Sequence, residues 1–189
     1  MILKVMKNAR WLFFCAAFVG SLANAAAQAQ DSLGFPASWE GEWAGILQIY
    51  HAKGLAQELP MELHILPTDS AWHTYRIIYG EDKVAGLRDY LLKPLRPELG
   101  IYLIDEQNTI AMEANYIGGA LYSRFEVMGS LLLSTAYLDG GELHYEIISG
   151  QHEAVRASGG QSHEGEDIPE VKAFPVQVRQ VARLQRRGH

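Results

Sequence analysis

The sequence predicts an all-β protein that folds as an antiparallel up-and-down β-barrel of about eight to ten strands. Apolar and polar residues alternate along most of the chain after residue 40, as in strands with one buried face. The connections are short and rich in glycine, proline and aspartate, so they leave no room for the crossover helices that parallel strands need. Such a meander can hide its exposed edges by closing into a barrel or by folding into a sandwich, and sequential strands with tight turns and no Greek-key crossover favour the barrel.

The first 29 residues have the pattern of a cleaved secretory signal peptide. Basic residues up to Arg10 precede an apolar stretch at residues 11–22, and small residues follow it. The apolar stretch is shorter than the roughly 20 residues of a membrane-spanning helix. We therefore expect residues 30–189 to form a single domain that is periplasmic or secreted in a bacterium, with no integral membrane segment after cleavage.

Cleavage would change the composition of the chain. The whole sequence carries 16 Lys and Arg against 22 Asp and Glu, and three of the basic residues precede residue 11. The only cysteine, Cys15, lies in the same segment. The mature chain is therefore expected to be acidic and free of disulfides, so that its core must supply its stability. The acidic balance argues against nucleic acid as a partner.

The first half of the predicted barrel begins with a segment that is apolar on both faces and continues with alternating or aromatic segments. Residues 84–95 are compatible either with a strand that bends at Gly86 or with a short helix. The predicted strands are residues 43–50, 59–66, 72–79, 84–95 and 100–105.

The second half is predicted as a series of hairpins, with strands at residues 110–116, 121–127, 131–138 and 143–147. The predicted turns are Gly118–Gly119, Met128–Gly129 and Asp139–Gly140. The last pair suits a type I′ turn, in which both central residues need positive φ. Residues 149–169 are polar, rich in glycine and serine and without periodicity, so we expect a mobile loop there. A final strand is predicted at residues 174–184.

Residues 39–45 (WEGEWAG) resemble the first strand of the calycin superfamily, which includes lipocalins, fatty-acid-binding proteins and bacterial lipocalin-like relatives. In lipocalins a Gly-x-Trp places the tryptophan across the closed end of the barrel, under a basic residue from near the last strand. The resemblance implies that Gly41 and Trp43 close this barrel and that Arg179 or Arg183 covers the indole. Such stacking adds a cation–π contact and covers apolar surface. The second and third lipocalin motifs are not recognisable.

The late strands supply candidate residues for the barrel interior. Ser123, Phe125, Thr135 and Tyr145 are predicted to line it, and a few polar groups in an apolar cavity orient a small ligand. Buried hydroxyls that bond to one another or to water explain the same pattern.

The charged residues and histidines define no catalytic or metal site. Arg76 and Arg88 would reach a carboxylate ligand if they point inward, and are ordinary surface charges if they do not. No histidine or acidic pair has an established ligand spacing, so no metal and no cofactor is expected. There is no Gly-x-Ser-x-Gly and no His-Glu-x-x-His, so an enzyme is unsupported, although a catalytic pair assembled across strands leaves no sequence motif.

Three functions are compatible with these patterns. The favoured hypothesis is an exported lipocalin-like protein that binds a small apolar molecule inside its barrel, because barrels of this size commonly serve as binding cups. The alternative is a structural or interaction module that docks on an envelope partner through its outer face or the 149–169 loop. The third is a barrel enzyme of unknown reaction.

Overall fold

The computed structural model of the protein describes residues 34–188, so the predicted signal peptide and Cys15 lie outside it. Ten strands form a closed antiparallel barrel in which successive barrel strands pair and the first also pairs with the last. The predicted up-and-down barrel is therefore confirmed. Its strands are β1 Gly41–His51, β2 Gly54–Ile65, β3 His73–Tyr79, β4 Leu87–Arg96, β5 Ile101–Asp105, β6 Ala111–Ile117, β7 Ala120–Val127, β8 Ser130–Asp139, β9 Glu142–Gln151 and, after four short strands, β14 Val178–Arg186.

The tightest hairpin turns are built from residues with positive φ. Gly140 and Gly141, with φ of 58° and 85°, form the centre of the turn between β8 and β9, as a type I′ turn requires. The predicted turn at Asp139–Gly140 is one residue too early, because Asp139 still pairs with Glu142 and completes the strand. The other two predicted turns of this kind are confirmed: Gly118–Gly119 and Met128–Gly129.

The ambiguous segment at residues 84–95 contains a turn followed by a strand. The Asp82 carboxylate accepts hydrogen bonds from the backbone N–H groups of Val84 and Ala85, at 3.0 Å each, and so fixes the turn. A side chain at Gly86 would collide with the Tyr79 carbonyl, because an added Cβ would lie 2.0 Å from its oxygen. The glycine thus marks the start of β4 and does not bend a strand.

The predicted mobile loop at residues 149–169 has more structure than expected. Residues 149–151 complete β9, and the chain then forms an arm of four short strands, β10 Arg156–Ser158, β11 Ser162–His163, β12 Glu166–Asp167 and β13 Val171–Ala173. β10 pairs with β13, and β11 pairs with β12. All residues from 151 to 174 are exposed. Strands that are solvated on both faces carry no apolar alternation, so the sequence pattern gave no sign of them.

The core lies inside the barrel, where the inward residues of successive strands meet. The largest fully buried side chains are Trp39, Trp43, Leu47, Met61, Leu63, Ile65, Leu92, Leu143 and Leu184. Five of these nine residues belong to β1 and β2. Between residues 34 and 188 there is no helix with the length and apolar character to cross a membrane.

Candidate ligand-binding site

One end of the barrel is filled by aromatic side chains. A single 3-10 turn, Ala37–Trp39, precedes β1, and the indole N–H of Trp43 donates to the backbone oxygen of Trp39 at 2.9 Å. Phe35 stacks on Tyr116, with ring centroids 4.3 Å apart, and meets Trp39 edge-on at 4.8 Å. Aromatic contacts of these two geometries add to the stability gained from burial alone. This end is therefore a packed plug.

The plug is covered by Arg186, whose guanidinium carbon lies 4.5 Å from the centroid of the Trp43 ring. The two residues pair directly across β1 and β14. The prediction that Arg179 or Arg183 covers the indole is wrong. Successive side chains of a strand point to opposite faces, and both arginines lie an odd number of residues from Arg186, so they point away from the plug. Both belong to the outer face, where Arg179 forms a 2.6 Å ion pair with Glu146. The predicted kind of contact exists, made by a different arginine.

The two glycines beside Trp43 are needed because β14 approaches closely. An added Cβ at Gly45 would lie 2.3 Å from the backbone oxygen of Arg183, a clash that only a backbone shift could relieve. At Gly41, φ is 145° and an added Cβ would lie 3.2 Å from Nε of Arg186. The conformation and the space at Gly41 both favour glycine. The Gly-x-Trp pattern is thus explained by the closure of β1 against β14.

Replacing Arg186 with alanine is expected to lower the free energy of unfolding by about 1 kcal/mol, because the cation–π contact and the cover over the indole are lost. Arg183→Ala is the matched control on the same strand, with an expected change below about 0.5 kcal/mol. Urea titrations followed by circular dichroism measure both. Equal losses in the two variants would contradict the assignment of Arg186 to the plug.

The opposite end of the barrel contains a cavity of about 130 Å³. It lies where β3, β5, β7 and β9 end and where β4, β6 and β8 begin. Its wall combines aliphatic and aromatic side chains with a small number of hydroxyl and charged groups, the composition expected of a small-molecule site. The lining residues are Tyr75, Ile77, Tyr79, Arg88, Tyr90, Ile104, Glu106, Met112, Ser123, Phe125, Ser134, Tyr145 and Ile147.

Four of the lining residues are tyrosines, and all four are held in the neutral form. Burial raises the pKa of Tyr75, Tyr79 and Tyr145 above the usual value of 10. Tyr90 has a pKa of about 12, raised first by burial and then by the negative charge of Glu106, which its hydroxyl contacts. The phenols therefore act at neutral pH as hydrogen-bonding groups and not as phenolates.

The structure places three of the four predicted interior residues in this cavity: Ser123, Phe125 and Tyr145. Thr135 is not among them, because its register neighbours Tyr122 and Glu146 belong to the outer face of β7 and β9. The adjacent Ser134 lines the cavity in its place. The Ser123 hydroxyl donates to the backbone oxygen of Glu113 at 2.9 Å, so part of its capacity is already used.

The mouth of the cavity carries one charge of each sign. Arg88 is exposed at the start of β4, and its guanidinium donates to the backbone oxygen of Leu87 at 3.0 Å. Glu106 directly follows β5 and contacts Tyr90. Arg76, the other arginine considered from the sequence, is on the outer face and pairs with Asp89. Of the two predicted carboxylate-binding arginines, only Arg88 reaches the cavity.

Several cavity residues escaped the sequence analysis. Tyr75, Ile77 and Tyr79 alternate along β3, and that alternation places all three on one face. It does not reveal which face is inward, because the intervening Ile78 is also buried. Ser134 was missed for a similar reason, since residues 131–133 are all leucine and fix no face.

None of the histidines between residues 34 and 188 lines the cavity. His64 contacts Glu62 at 2.9 Å, His73 contacts Glu40 at 3.0 Å, and His144 stacks on Tyr137 at 4.8 Å. Between residues 34 and 188, no three His, Cys, Asp or Glu side chains are grouped so that they could hold a metal ion.

A second concavity, of about 210 Å³, lies outside the barrel. It lies between the outer face of β8 and β9 and residues 174–176, in the segment that connects the arm to β14. Its apolar wall includes Leu131, Leu133, Ile148, Phe174 and Val176. The segment lies close to β9: the Gln177 backbone N–H donates to the Ser149 oxygen at 2.8 Å, and an added Cβ at Gly150 would lie 2.0 Å from the Pro175 oxygen. The groove is an apolar part of the outer surface.

The fold and the cavity together define a closed antiparallel β-barrel with one plugged end and a cavity of about 130 Å³ at the other. This architecture is compatible with a calycin-like fold. No protein-family model matches the chain, and no curated protein matches it.

Proposed function

We propose that this protein is an exported, lipocalin-like member of the calycin superfamily that binds a small molecule in the cavity at the open end of its barrel. The observation that carries the proposal is the asymmetry of the interior. One end is plugged by Trp39 and Trp43, each at most 2% exposed, while the other retains a cavity of about 130 Å³. The signal-like pattern of residues 1–29 supports export.

The size of the cavity limits the ligand. An apolar cavity of about 150 Å³ is sufficient to hold one benzene molecule. A cavity of about 130 Å³ therefore has room for a part of the ligand about the size of one ring. Any further part of the ligand would lie at the mouth. Long acyl chains and fused ring systems exceed the enclosed space. The expected ligand is thus smaller than most molecules that fill wide barrels.

Native mass spectrometry of protein expressed from the full sequence in a bacterium tests both halves of this proposal. We expect the mass of the polypeptide to correspond to a chain cleaved near residue 30, and one-ring aromatic probes to bind in a one-to-one ratio. A two-dimensional NMR titration should shift the backbone resonances of β3, β4, β7 and β9 more than those at the plugged end.

A pair of neighbouring variants provides the control. Ser134→Phe places a ring in the cavity and should weaken probe binding at least tenfold, whereas Thr135→Phe places the same ring on the outer face and should leave binding unchanged. Thermal unfolding of each variant verifies that it is folded. If every probe leaves the wild-type spectra unchanged, the cavity is a water-filled interior, and the interaction-module alternative, with its outer groove and exposed arm, becomes the better account.

A further inference from the structure

We infer that the cavity selects a ring-shaped ligand that presents a neutral hydrogen-bond acceptor, a carbonyl or hydroxyl oxygen, to the hydroxyl of Tyr75. This inference rests on the proposed function and specifies the ligand of the same site. It replaces the expectation of a purely apolar ligand with one of mixed character.

Tyr75 is the central observation. The residue is 3% exposed and lines the cavity from β3. Among residues 34–188, the structure gives its hydroxyl no hydrogen-bond partner. The hydroxyl is open to the cavity, since among residues 34–188 only Nδ1 of His73 is a fully buried side-chain nitrogen or oxygen without a partner. A hydroxyl of this kind gains a hydrogen bond when a group in the cavity supplies the partner. A bound ligand or a water molecule in the cavity can supply the missing partner.

Two further tyrosines line the cavity beside Tyr75. Tyr79 lies four residues after Tyr75 on the same face of β3, and Tyr145 is 4% exposed on β9. Burial raises the pKa of both phenols, so each keeps its proton at neutral pH and can donate a hydrogen bond. Neutral hydroxyl donors therefore line one region of the wall.

The ligand oxygen at this position should be uncharged. The only charged lining residues are Arg88 and Glu106, and both are at the mouth. An anion placed among the tyrosines would lose its hydration without a cation to replace it. At the mouth, Glu106 would also repel an anionic group that approaches Arg88. A neutral acceptor avoids both costs and satisfies the phenols.

Ser134 extends the polar region of the wall. Its hydroxyl has no hydrogen-bond partner among residues 34–188 and faces the same cavity from β8. Ile77, Ile104 and Ile147 provide apolar surface for the ring. A planar ligand with one polar edge fits this wall, because its ring would contact the isoleucines while its oxygen would bond to the hydroxyl groups.

Phenol, toluene and benzoate are suitable probes, because phenol and toluene have nearly the same size and shape and benzoate adds a negative charge. NMR titration of the mature protein, residues 30–189, with each of the three probes gives three dissociation constants. In the wild type, phenol should bind more tightly than toluene and benzoate should bind most weakly. The ratio of the toluene to the phenol dissociation constant should fall about tenfold in Tyr75→Phe, which removes only the hydroxyl.

Tyr102→Phe is the matched control, because Tyr102 is also buried in the barrel but donates to the Phe35 oxygen at the plugged end. It should leave the ratio unchanged. If toluene binds and Tyr75→Phe does not alter the ratio, this inference is overturned while the proposed function stands. Tightest binding by benzoate would overturn it in favour of an ion pair with Arg88. If no probe binds, both this inference and the proposed function fail.

Discussion

Replacing Trp43 with alanine is expected to lower the free energy of unfolding by about 3–5 kcal/mol. The indole is 2% exposed, donates to the Trp39 backbone oxygen and lies under Arg186. Its removal leaves a void at the plugged end together with an unsatisfied carbonyl, and the packed neighbours cannot fully collapse into that space. Urea unfolding followed by far-ultraviolet circular dichroism measures the loss without depending on tryptophan fluorescence.

Trp72→Ala is the control for this prediction. Trp72 is 40% exposed, and its ring has only Lys93 as a cation–π partner, at 4.1 Å. We expect a loss below about 1 kcal/mol there. Trp43→Phe retains a ring and should fall between the two alanine variants, which keeps the prediction testable if Trp43→Ala does not fold. A similar loss from Trp43→Ala and Trp72→Ala would show that the plug contributes little to stability.

Replacing Glu62 with glutamine is expected to cost about 2–3 kcal/mol at neutral pH. The carboxylate, with its side chain 9% exposed, contacts Lys83 at 2.9 Å, Arg187 at 2.6 Å and His64 at 2.9 Å. Burial by itself would raise the pKa of Glu62, but the hydrogen bonds from these three groups lower it to about 2. The contact with Arg187 holds the residues that follow β14 against the outer face of β2.

The effect of Glu62 should depend on pH in a definite direction. A carboxyl whose pKa is depressed in the folded state stabilises the protein above its ordinary value of 4.5, and this contribution disappears as the pH falls towards 2. The difference in unfolding free energy between wild type and Glu62→Gln should therefore be constant from pH 7 to about pH 5 and shrink below that. A difference that stays constant down to pH 2 would contradict the ion cluster as its source.

Glu58→Gln is the matched control on the same strand. Glu58 is exposed and accepts a hydrogen bond from the Gln48 side chain at 2.6 Å. Its replacement should change the free energy of unfolding by less than about 0.5 kcal/mol at every pH. The comparison separates the buried cluster around Glu62 from the general loss of one negative charge on β2.

The strands and their turns could be predicted because they depend on local chemistry. Alternation along β6, β7 and β9 follows from one buried face, and glycines at turns follow from positive φ. The arm could not be predicted, because its short strands bury nothing and therefore impose no pattern. The start of β4 at Leu87 follows a close approach between residue 86 and the Tyr79 carbonyl, which leaves no room for a side chain and which no local rule contains.

The candidate site was partly predictable for the same reason. Ser123, Phe125 and Tyr145 were found because alternation in β7 and β9 is clean. Thr135 was chosen where Ser134 belongs, since three consecutive leucines hide the face of β8. A shift of one residue exchanges the inside and the outside of a strand, so a small error in register changes the chemistry of the cavity completely.

The sequence by itself determined that this protein is an antiparallel barrel, because periodicity and turn residues act within a few positions of one another. The closed end near Trp43 was implied by the resemblance of residues 39–45 to the first strand of the calycins. Only the tertiary structure decided that Arg186 covers the indole, that four tyrosines converge at the opposite end and that Glu62 contacts Lys83, Arg187 and His64. Each of these contacts joins residues whose relative positions depend on the register of paired strands. That register is fixed by how the whole barrel closes, and no single segment of the chain contains it.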